Sequence, residues 1–435
     1  MNRYFKTFFF LIVCLTLTGC SQPQTAVTTS FIVEGLQVIV KTVPDSPVVA
    51  GGFYLKGGQN YIGPRQAGIE TLLFRTAALG SETLAGDELN LRLESMGTSF
   101  EVAAEYDYTG LTFRCNLANF AQSWDIFADV LLNPRFEPKE LELVRQSLIA
   151  TIESANDLLE RNIRQLANDQ FYDDHPYGVS PYGTSATIAA ISRQDLLQYH
   201  HGDITKNRAL LVMVGDLDLS QVTNMVRELT RQLPLGPEPR LPTLLFDPGS
   251  PDLTVIQRNL SASYILGLFP APKPGHPDYP AFTAAMSILN DWLYEELVVS
   301  SKLAANPAVG FDQRIANHGH IQITTANPND AVRAVFQTID RLILDPLPDG
   351  SLKGAIATST TRHLLEGESI KAQREQLVRW EIVGDGWQQV DQYLSELQSL
   401  QPGMIQAMIR KYLLNFHFVV VGNPQQLDRQ LFINR

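Results

Sequence analysis

The sequence predicts an α+β protein made of two homologous domains, each a β-sheet carrying helices. The main observation is that segments of the first half recur in the second at offsets of 212, 207 and 207 residues. The recurring pairs are residues 127–134 (FADVLLNP) with 339–346 (IDRLILDP), 149–151 with 356–358, and 211–215 with 418–422. A second observation is that residues 234–251 hold six prolines and only short apolar runs. We therefore expect domains at residues 31–233 and 257–435, joined by a linker at 234–256.

The third observation is that strands and helices follow each other in mixed order within a half, which favours a sheet with helices on one face. In residues 86–96, apolar Leu89, Leu93 and Met96 recur at spacings of four and three, as on one face of a helix. The expected elements are a buried strand at 48–55, helices at 68–79 and 86–96, a strand pair at 99–117, helices at 121–132 and 138–164, and a buried strand at 210–214.

Composition excludes several classes of protein. The 435 residues are 44% hydrophobic, which provides for a sizeable core, and the net charge of −12 without a basic block argues against nucleic-acid binding. Three cysteines, Cys14, Cys20 and Cys115, cannot form a disulfide framework or a four-cysteine zinc site. The glycine motifs of nucleotide-binding loops and of serine-hydrolase elbows are absent from the sequence.

The first twenty residues have the features of an export signal. Arg3 and Lys6 precede an almost wholly apolar run at 8–17, which is too short to span a membrane as a mature helix. The run ends Leu-Thr-Gly-Cys20, which resembles the bacterial lipobox, where the cysteine becomes lipidated. We therefore expect residues 1–20 to be a lipoprotein signal peptide, residues 21–30 a polar tether, and Ser21 to indicate an outer-membrane lipoprotein facing the periplasm.

Short motifs in the first half follow a fixed order. They are Lys56-Gly57-Gly58 after a strand, Gly68 at a helix start, Leu93 to Gly97 before a strand pair, Asn133-Pro134 after a helix, His175 to Gly178, and Gly215-Asp216 after the last strand. In this order they resemble the first half of a subunit of the M16 family (insulinase, pitrilysin and mitochondrial processing peptidase). The second half resembles that family's degenerate half. The resemblance implies two M16-type domains forming half a clamshell.

The catalytic motif of that family is missing here. Its His-x-x-Glu-His motif places two zinc-binding histidines on one helical face, with a Glu between them that activates water and a distal Glu that completes the site. The matching positions hold Thr71, Phe74, Arg75 and Thr151. Phe74 has no proton to exchange, and Arg75 is a permanent cation without a lone pair. We expect no catalytic residue, no metal ligand set and no cofactor.

A second pair of family positions is also changed. Zinc-free partner chains in this family supply an Arg and a Tyr that position the substrate. The matching positions here, after residues 293–297, hold Val298 and Ala305. If that alignment holds, neither side chain can make the usual contacts.

Two other metal-binding readings are weaker. Glu70 and Glu153 flank the changed positions, but a shift of one residue turns a helical side chain by about 100°. His318 and His320 alternate on a predicted strand and share a face, yet two ligands do not complete a site. His200 and His201 are better explained by a helix end.

Together, the lipobox and the M16 resemblance predict a non-catalytic, lipid-anchored M16 homologue. Its expected role is to pair with a zinc-bearing sister chain or with a second copy of itself, or to hold extended peptide on a sheet edge. Two alternatives remain, an active metallopeptidase with atypical ligands and an envelope scaffold without peptide binding.

Overall fold

The computed structural model describes residues 25–157, 159–237 and 247–435, which form two sheets packed with helices. The strands of the first sheet are β1 Val27–Val33, β2 Leu36–Thr42, β3 Val48–Lys56, β4 Ser99–Ala104, β5 Tyr108–Asn116 and β6 Ala209–Gly215. Those of the second are β7 Asp252–Gln257, β8 Ser263–Pro270, β9 Ala305–Phe311, β10 His318–Thr325 and β11 His417–Gly422. The predicted two-domain α+β class is thus confirmed.

The helices of the first half outnumber its strands. They are α1 Gly58–Tyr61, α2 Ile69–Ala77, α3 Gly86–Met96, α4 Phe120–Leu132, α5 Pro138–Asp157, α6 Leu159–Tyr172, α7 Ser185–Ala190, α8 Arg193–Asp203 and α9 Leu219–Gln232. The second half contains α10 Tyr279–Tyr294, α11 Pro328–Leu344, α12 Ser351–Leu365, α13 Ile370–Ile382, α14 Gln389–Gln398, α15 Pro402–Tyr412 and α16 Arg429–Ile433. Within the described ranges, no helix has both the length and the apolarity needed to cross a membrane.

The two sheets have the same topology. The first has the order β1-β2-β6-β3-β5-β4 and the second β7-β11-β8-β10-β9, so the second repeats the first without its outermost strand. The parallel pair β2–β6 corresponds to the parallel pair β7–β11, and the other pairs are antiparallel in both sheets. The recurrences seen in the sequence therefore mark equivalent elements, such as β6 and β11.

Three sequence-based boundaries need correction. The polar tether assigned to 21–30 is wrong for residues 27–30, because they pair with β2 as part of β1. The linker assigned to 234–256 ends earlier, since β7 begins at Asp252 and pairs in parallel with β11. Helical structure assigned to 138–164 continues through α6 to Tyr172. The leader at 1–20, with Cys20, lies outside the described residues.

Each sheet buries both of its faces. In the first sheet, Val38 and Leu211 face a core built with helices of the same half, whereas their neighbours Ile39, Leu210 and Val212 face the opposite way, as alternation along a strand requires. That second face packs against Leu377 and Val378 of α13, which comes from the other half of the chain. A helix of the second half thus completes the first domain.

The second sheet is covered in the reciprocal manner. Phe418 and Val420 of β11 face their own helices, while Val419 and Val421 face Phe171 of α6, a helix of the first half. The two halves therefore exchange one helix each, α6 for α13, and each exchanged helix fills an apolar sheet face that would otherwise meet water.

Truncation of Phe171 tests this exchange. The side chain is 1% exposed between α6 and the second sheet, so Phe171→Ala should lower the free energy of unfolding by about 3–5 kcal/mol through lost burial and a cavity. Urea denaturation measures the change. Leu166→Ala on the same helix, at a side chain that is 36% exposed, is the matched control and should cost less than about 1 kcal/mol. Equal losses at both positions would contradict the exchanged-helix core.

Candidate functional site

The helix α2 begins where the backbone takes a left-handed turn at Gly68. The φ angle there is +86°, and a Cβ on Gly68 would lie 2.7 Å from the carbonyl oxygen of Tyr182. The loop around Tyr182 therefore closes directly on the start of the helix. On its other side α2 packs against α5, so the structure brings together the two helices that carry the four changed positions.

The first two of these positions belong to the protein interior. Thr71 is fully buried and its hydroxyl donates a hydrogen bond of 2.7 Å to the carbonyl oxygen of Pro181. Phe74 is also fully buried and belongs to the main core of the first half. Both side chains hold the fold together: Phe74 has no ligand atom, and the buried hydroxyl of Thr71 is held by the carbonyl oxygen of Pro181.

Of the other two positions, Thr151 lines a groove on the surface and Arg75 contacts Tyr182, which lines the same groove. The guanidinium of Arg75 lies 5.4 Å from the centre of the Tyr182 ring, a cation–π contact. Thr151, exposed on α5, donates a hydrogen bond of 2.8 Å to the carbonyl oxygen of Ser147, one turn earlier. Tyr182 and Thr151 both line a groove of about 840 Å³. The two helices are adjacent, and the side chains at the four positions are two hydroxyls, a phenyl ring and a guanidinium cation.

Glu70 lies in a buried polar network. The Arg208 guanidinium donates a hydrogen bond to Glu70 Oε1, and so does the Tyr199 hydroxyl at 2.7 Å. Burial and the adjacent Glu70 carboxylate raise the pKa of Tyr199 well above its ordinary value. This network ties α2 to α8 and to the start of β6. Glu153 is exposed, so the two glutamates do not form an alternative carboxylate site.

The positions matched to the substrate-positioning Arg and Tyr lie in the second half. Val298 is half-buried in a π-helical turn, Glu295–Ser300, that continues α10. Ala305 is exposed at the start of β9. Neither residue offers a hydrogen bond from its side chain, and the alignment that selects them stays a prediction.

His318 and His320 have a third partner that sequence reasoning missed. Potential ligand atoms of Asp312, His318 and His320 all lie within 4.8 Å of one another. Within the described residues no other His, Cys, Asp or Glu set of three meets this condition. Burial lowers the pKa of His318 to about 3 and that of His320 to about 4, so both imidazoles are neutral at neutral pH. Asp312 follows β9, in a loop where no periodic pattern draws attention to it.

The remaining histidines highlighted by the sequence have structural contacts. A ring nitrogen of His200, near the end of α8, lies 2.8 Å from the carbonyl oxygen of Leu131. The Nδ1 atom of His175 accepts a hydrogen bond of 3.1 Å from the backbone N–H of Tyr177 and so caps a short helical turn.

A second groove, of about 570 Å³, runs beside the first sheet. One wall is β4, the last strand in the sheet order, which pairs only with β5 among the described strands. The groove is lined by charged side chains of both signs, including Glu101, Glu105, Arg314 and Arg379. An unpaired strand edge next to such a groove is where an extended peptide adds to a sheet.

Comparison with known proteins points to one family. The family description "Insulinase (Peptidase family M16)" matches residues 37–185, and "Peptidase M16 inactive domain" matches residues 190–359. An uncharacterized zinc protease of Mycobacterium leprae is 22% identical over 420 residues, which cover 92% of this chain and 93% of that protein. Cytochrome b-c1 complex subunit 1 of Caenorhabditis elegans is 25% identical over 195 residues, 45% of this chain and 41% of that protein.

A solved structure agrees with these relatives in fold. The peptidase M16 inactive domain from Pseudomonas fluorescens superposes with a TM-score of 0.80 at 17% identity. The match covers 91% of this chain and 98% of that one.

Restoring the family ligands tests whether the changed positions alone remove the zinc site. The variant Thr71→His, Phe74→Glu, Arg75→His and Thr151→Glu should hold one more zinc ion per chain than the unmodified protein, because α2 and α5 are already adjacent. Metal analysis after dialysis measures this.

The matched control carries Arg75→Ala in place of Arg75→His, which leaves a single imidazole and should gain no ion. The unmodified chain should not cleave an unfolded polypeptide. Chelator-sensitive cleavage by that chain, purified free of other peptidases, would contradict the assignment of the changed positions.

Proposed function

This chain belongs to peptidase family M16, and from that premise we propose that it is a catalytically inactive, lipid-anchored subunit that pairs with a zinc-bearing M16 chain. The observation that carries the proposal is the burial and the contacts of the side chains at the four changed positions. Thr71 and Phe74 are built into the interior, and Arg75 places a cation beside the groove. A cation about 4 Å from a zinc ion would cost roughly 8 kcal/mol at an effective dielectric near 20, so the substitutions oppose metal binding at this site.

A pairing role is supported by the peptide-binding surface that an inactive chain would still have. The edge of β4 and the groove beside it remain available to extended peptide, and main-chain hydrogen bonds to a strand edge require no particular side chain. Charges of both signs line that groove, which suits a polypeptide better than a small apolar ligand. This chain would supply one side of the peptide-binding chamber and the strand edge, and the partner would supply the metal and the water-activating carboxylate.

The names of the relatives support an assembly. One relative is named as a subunit of the cytochrome b-c1 complex, and another as the beta subunit of mitochondrial-processing peptidase from Saccharomyces cerevisiae, 20% identical over 271 residues. Members of this family thus include chains named as parts of larger complexes.

The anchor is proposed at Cys20. Because β1 begins at Val27, at most the six residues 21–26 separate the lipidated cysteine from the sheet. Fully extended, they span about 20 Å. The first domain would then lie against the membrane surface, in a Gram-negative envelope on the periplasmic face of the outer membrane.

Acyl labelling tests the anchor. Cys20→Ala should abolish incorporation of a labelled fatty acid and leave the chain unprocessed or processed at another position, because the acceptor thiol is gone. Cys14→Ala, which removes the other cysteine of the leader, is the matched control and should keep both the label and the processing. A label that persists on Cys20→Ala would rule out the lipobox.

Light scattering on the chain lacking residues 1–20 tests the assembly. Mixed with a zinc-bearing M16 chain encoded in the same genome, it should form a complex of one copy of each that buries above roughly 2,000 Å², as obligate pairs do. The complex should contain the zinc of the partner and show chelator-sensitive cleavage. If the chain stays a monomer and binds no M16 chain, the pairing proposal is wrong and only the function as an envelope scaffold remains.

A further inference from the structure

We propose that Asp312, His318 and His320 form a binding site for one divalent transition-metal ion, with zinc the best fit. The site lies in the second half, on the face of the second sheet that α6 covers. It is separate from the four changed family positions and departs from the expectation that the chain holds no metal. The proposal does not depend on the assembly proposed above.

The register of one hairpin brings the three ligands together. In the β9–β10 pair, Gly319 lies opposite Phe311 and His320 opposite Gly310. One step further, the backbone N–H of Asp312 donates a hydrogen bond of 2.9 Å to the carbonyl oxygen of His318, so Asp312 and His318 are also direct cross-strand partners. Opposite residues share a face of the sheet, and so do residues two apart on one strand. All three side chains therefore lie on one face.

Space for the His320 ring comes from a glycine. A Cβ on Gly310 would lie 2.6 Å from Nε2 of His320, so the imidazole lies directly over the Gly310 backbone. Its Nδ1 atom is buried and has no hydrogen-bond partner. A buried imidazole nitrogen without a partner is costly unless something fills that role, and a metal ion bound to the ring would offset part of that cost.

The hydrogen bonds of Tyr172 fix which nitrogen of His318 can bind a metal. The Tyr172 hydroxyl donates its single hydrogen to the carbonyl oxygen of Ala316, at 2.7 Å. Its oxygen lies 2.9 Å from Nδ1 of His318, so the hydrogen of that contact comes from the imidazole. The Nε2 atom of the neutral ring then carries the lone pair, and it lies 3.7 Å from Oδ2 of Asp312.

The Nε2 lone pair of His318 thus faces Oδ2 of Asp312, the oxygen that also pairs with Arg314, and a metal ion between them would be attracted to both atoms. Donors at about 2.0–2.1 Å from a tetrahedral zinc ion are roughly 3.4 Å apart, close to the 3.7 Å found here. Donor atoms separated by as much as 4.8 Å would need a shift of about 1.4 Å in one side chain to reach that spacing. Two imidazoles and a carboxylate form a donor set that suits zinc and other divalent first-row transition metals, and the fourth coordination position stays open.

The surroundings both orient and weaken the site. Arg314 forms an ion pair with the Asp312 carboxylate, which fixes its position as outer hydrogen bonds do at metal sites. Its positive charge, and that of Arg164 nearby on α6, oppose a bound cation. We therefore expect an ion held more weakly than in a closed structural zinc site. Tyr172 is a positioning residue, because it acts through His318.

Titration of the metal-free chain lacking residues 1–20 with zinc chloride, followed by calorimetry, tests the site. The unmodified protein should bind one equivalent. The variants Asp312→Asn and His320→Ala should each weaken binding about 30-fold or more, and Tyr172→Phe about 10- to 100-fold, as for outer-shell partners of metal ligands. Arg164→Gln should tighten binding by roughly two- to five-fold, because it removes a nearby positive charge.

His276→Ala is the matched control. Nδ1 of His276 lies 3.8 Å from Oδ2 of Asp278 at the surface, so these two residues resemble His318 and Asp312 but have no third ligand beside them among the described residues. It should leave binding unchanged. Cobalt chloride gives an independent readout: the unmodified chain should develop visible absorption bands of a low-coordinate ion, and the ligand variants should not. Absence of saturable zinc binding by the unmodified chain would overturn the proposal. So would one-equivalent binding that persists unchanged in the double variant Asp312→Asn, His320→Ala.

Discussion

The structure depends on the exchange of one helix between the two halves. Each sheet has two apolar faces because its strands are apolar at consecutive positions, as at Leu210 and Leu211, which face opposite ways. The helices that follow these strands in sequence cover one face. The other face is covered by α13 in the first sheet and by α6 in the second. Each half therefore buries one face of its sheet only with a helix from the other half, despite the duplicated sequence.

Packing and one buried polar network fix the position of α2 within the first half. Phe74 places α2 in the main core of the first half, where α2 packs against α5, and the Glu70–Arg208–Tyr199 network ties α2 to α8 and to the start of β6. Within this packing Phe74 contributes apolar surface to the core, and the Thr71 hydroxyl donates a hydrogen bond to the carbonyl oxygen of Pro181 in the neighbouring loop.

The sequence predicted what depends on local pattern or on repetition. The helix at 86–96 and the equivalence of β6 with β11 followed from apolar spacing and from a constant offset. It did not predict β1, whose residues Val27 to Ser30 read as polar and threonine-rich, because their strand character comes from pairing with β2. The third member of the histidine cluster was missed for a similar reason. Asp312 meets His318 through hairpin register, and register is a tertiary property that spacing alone does not reveal.

Comparison of equivalent hairpins shows why the polar cluster belongs to one half only. In the β4–β5 pair, the backbone N–H of Glu105 bonds to the carbonyl oxygen of Tyr108, as Asp312 does to His318 in the second half. The position two residues after Tyr108 is Gly110, where the second half has His320. Tyr108 packs in the apolar cluster beneath α13, whereas His318 meets the Tyr172 hydroxyl beneath α6. The same architectural position, a strand face under an exchanged helix, is thus apolar in one domain and a set of nitrogen and oxygen donors in the other. A duplicated fold can use one copy of such a position for packing alone, which leaves the other free to acquire a ligand.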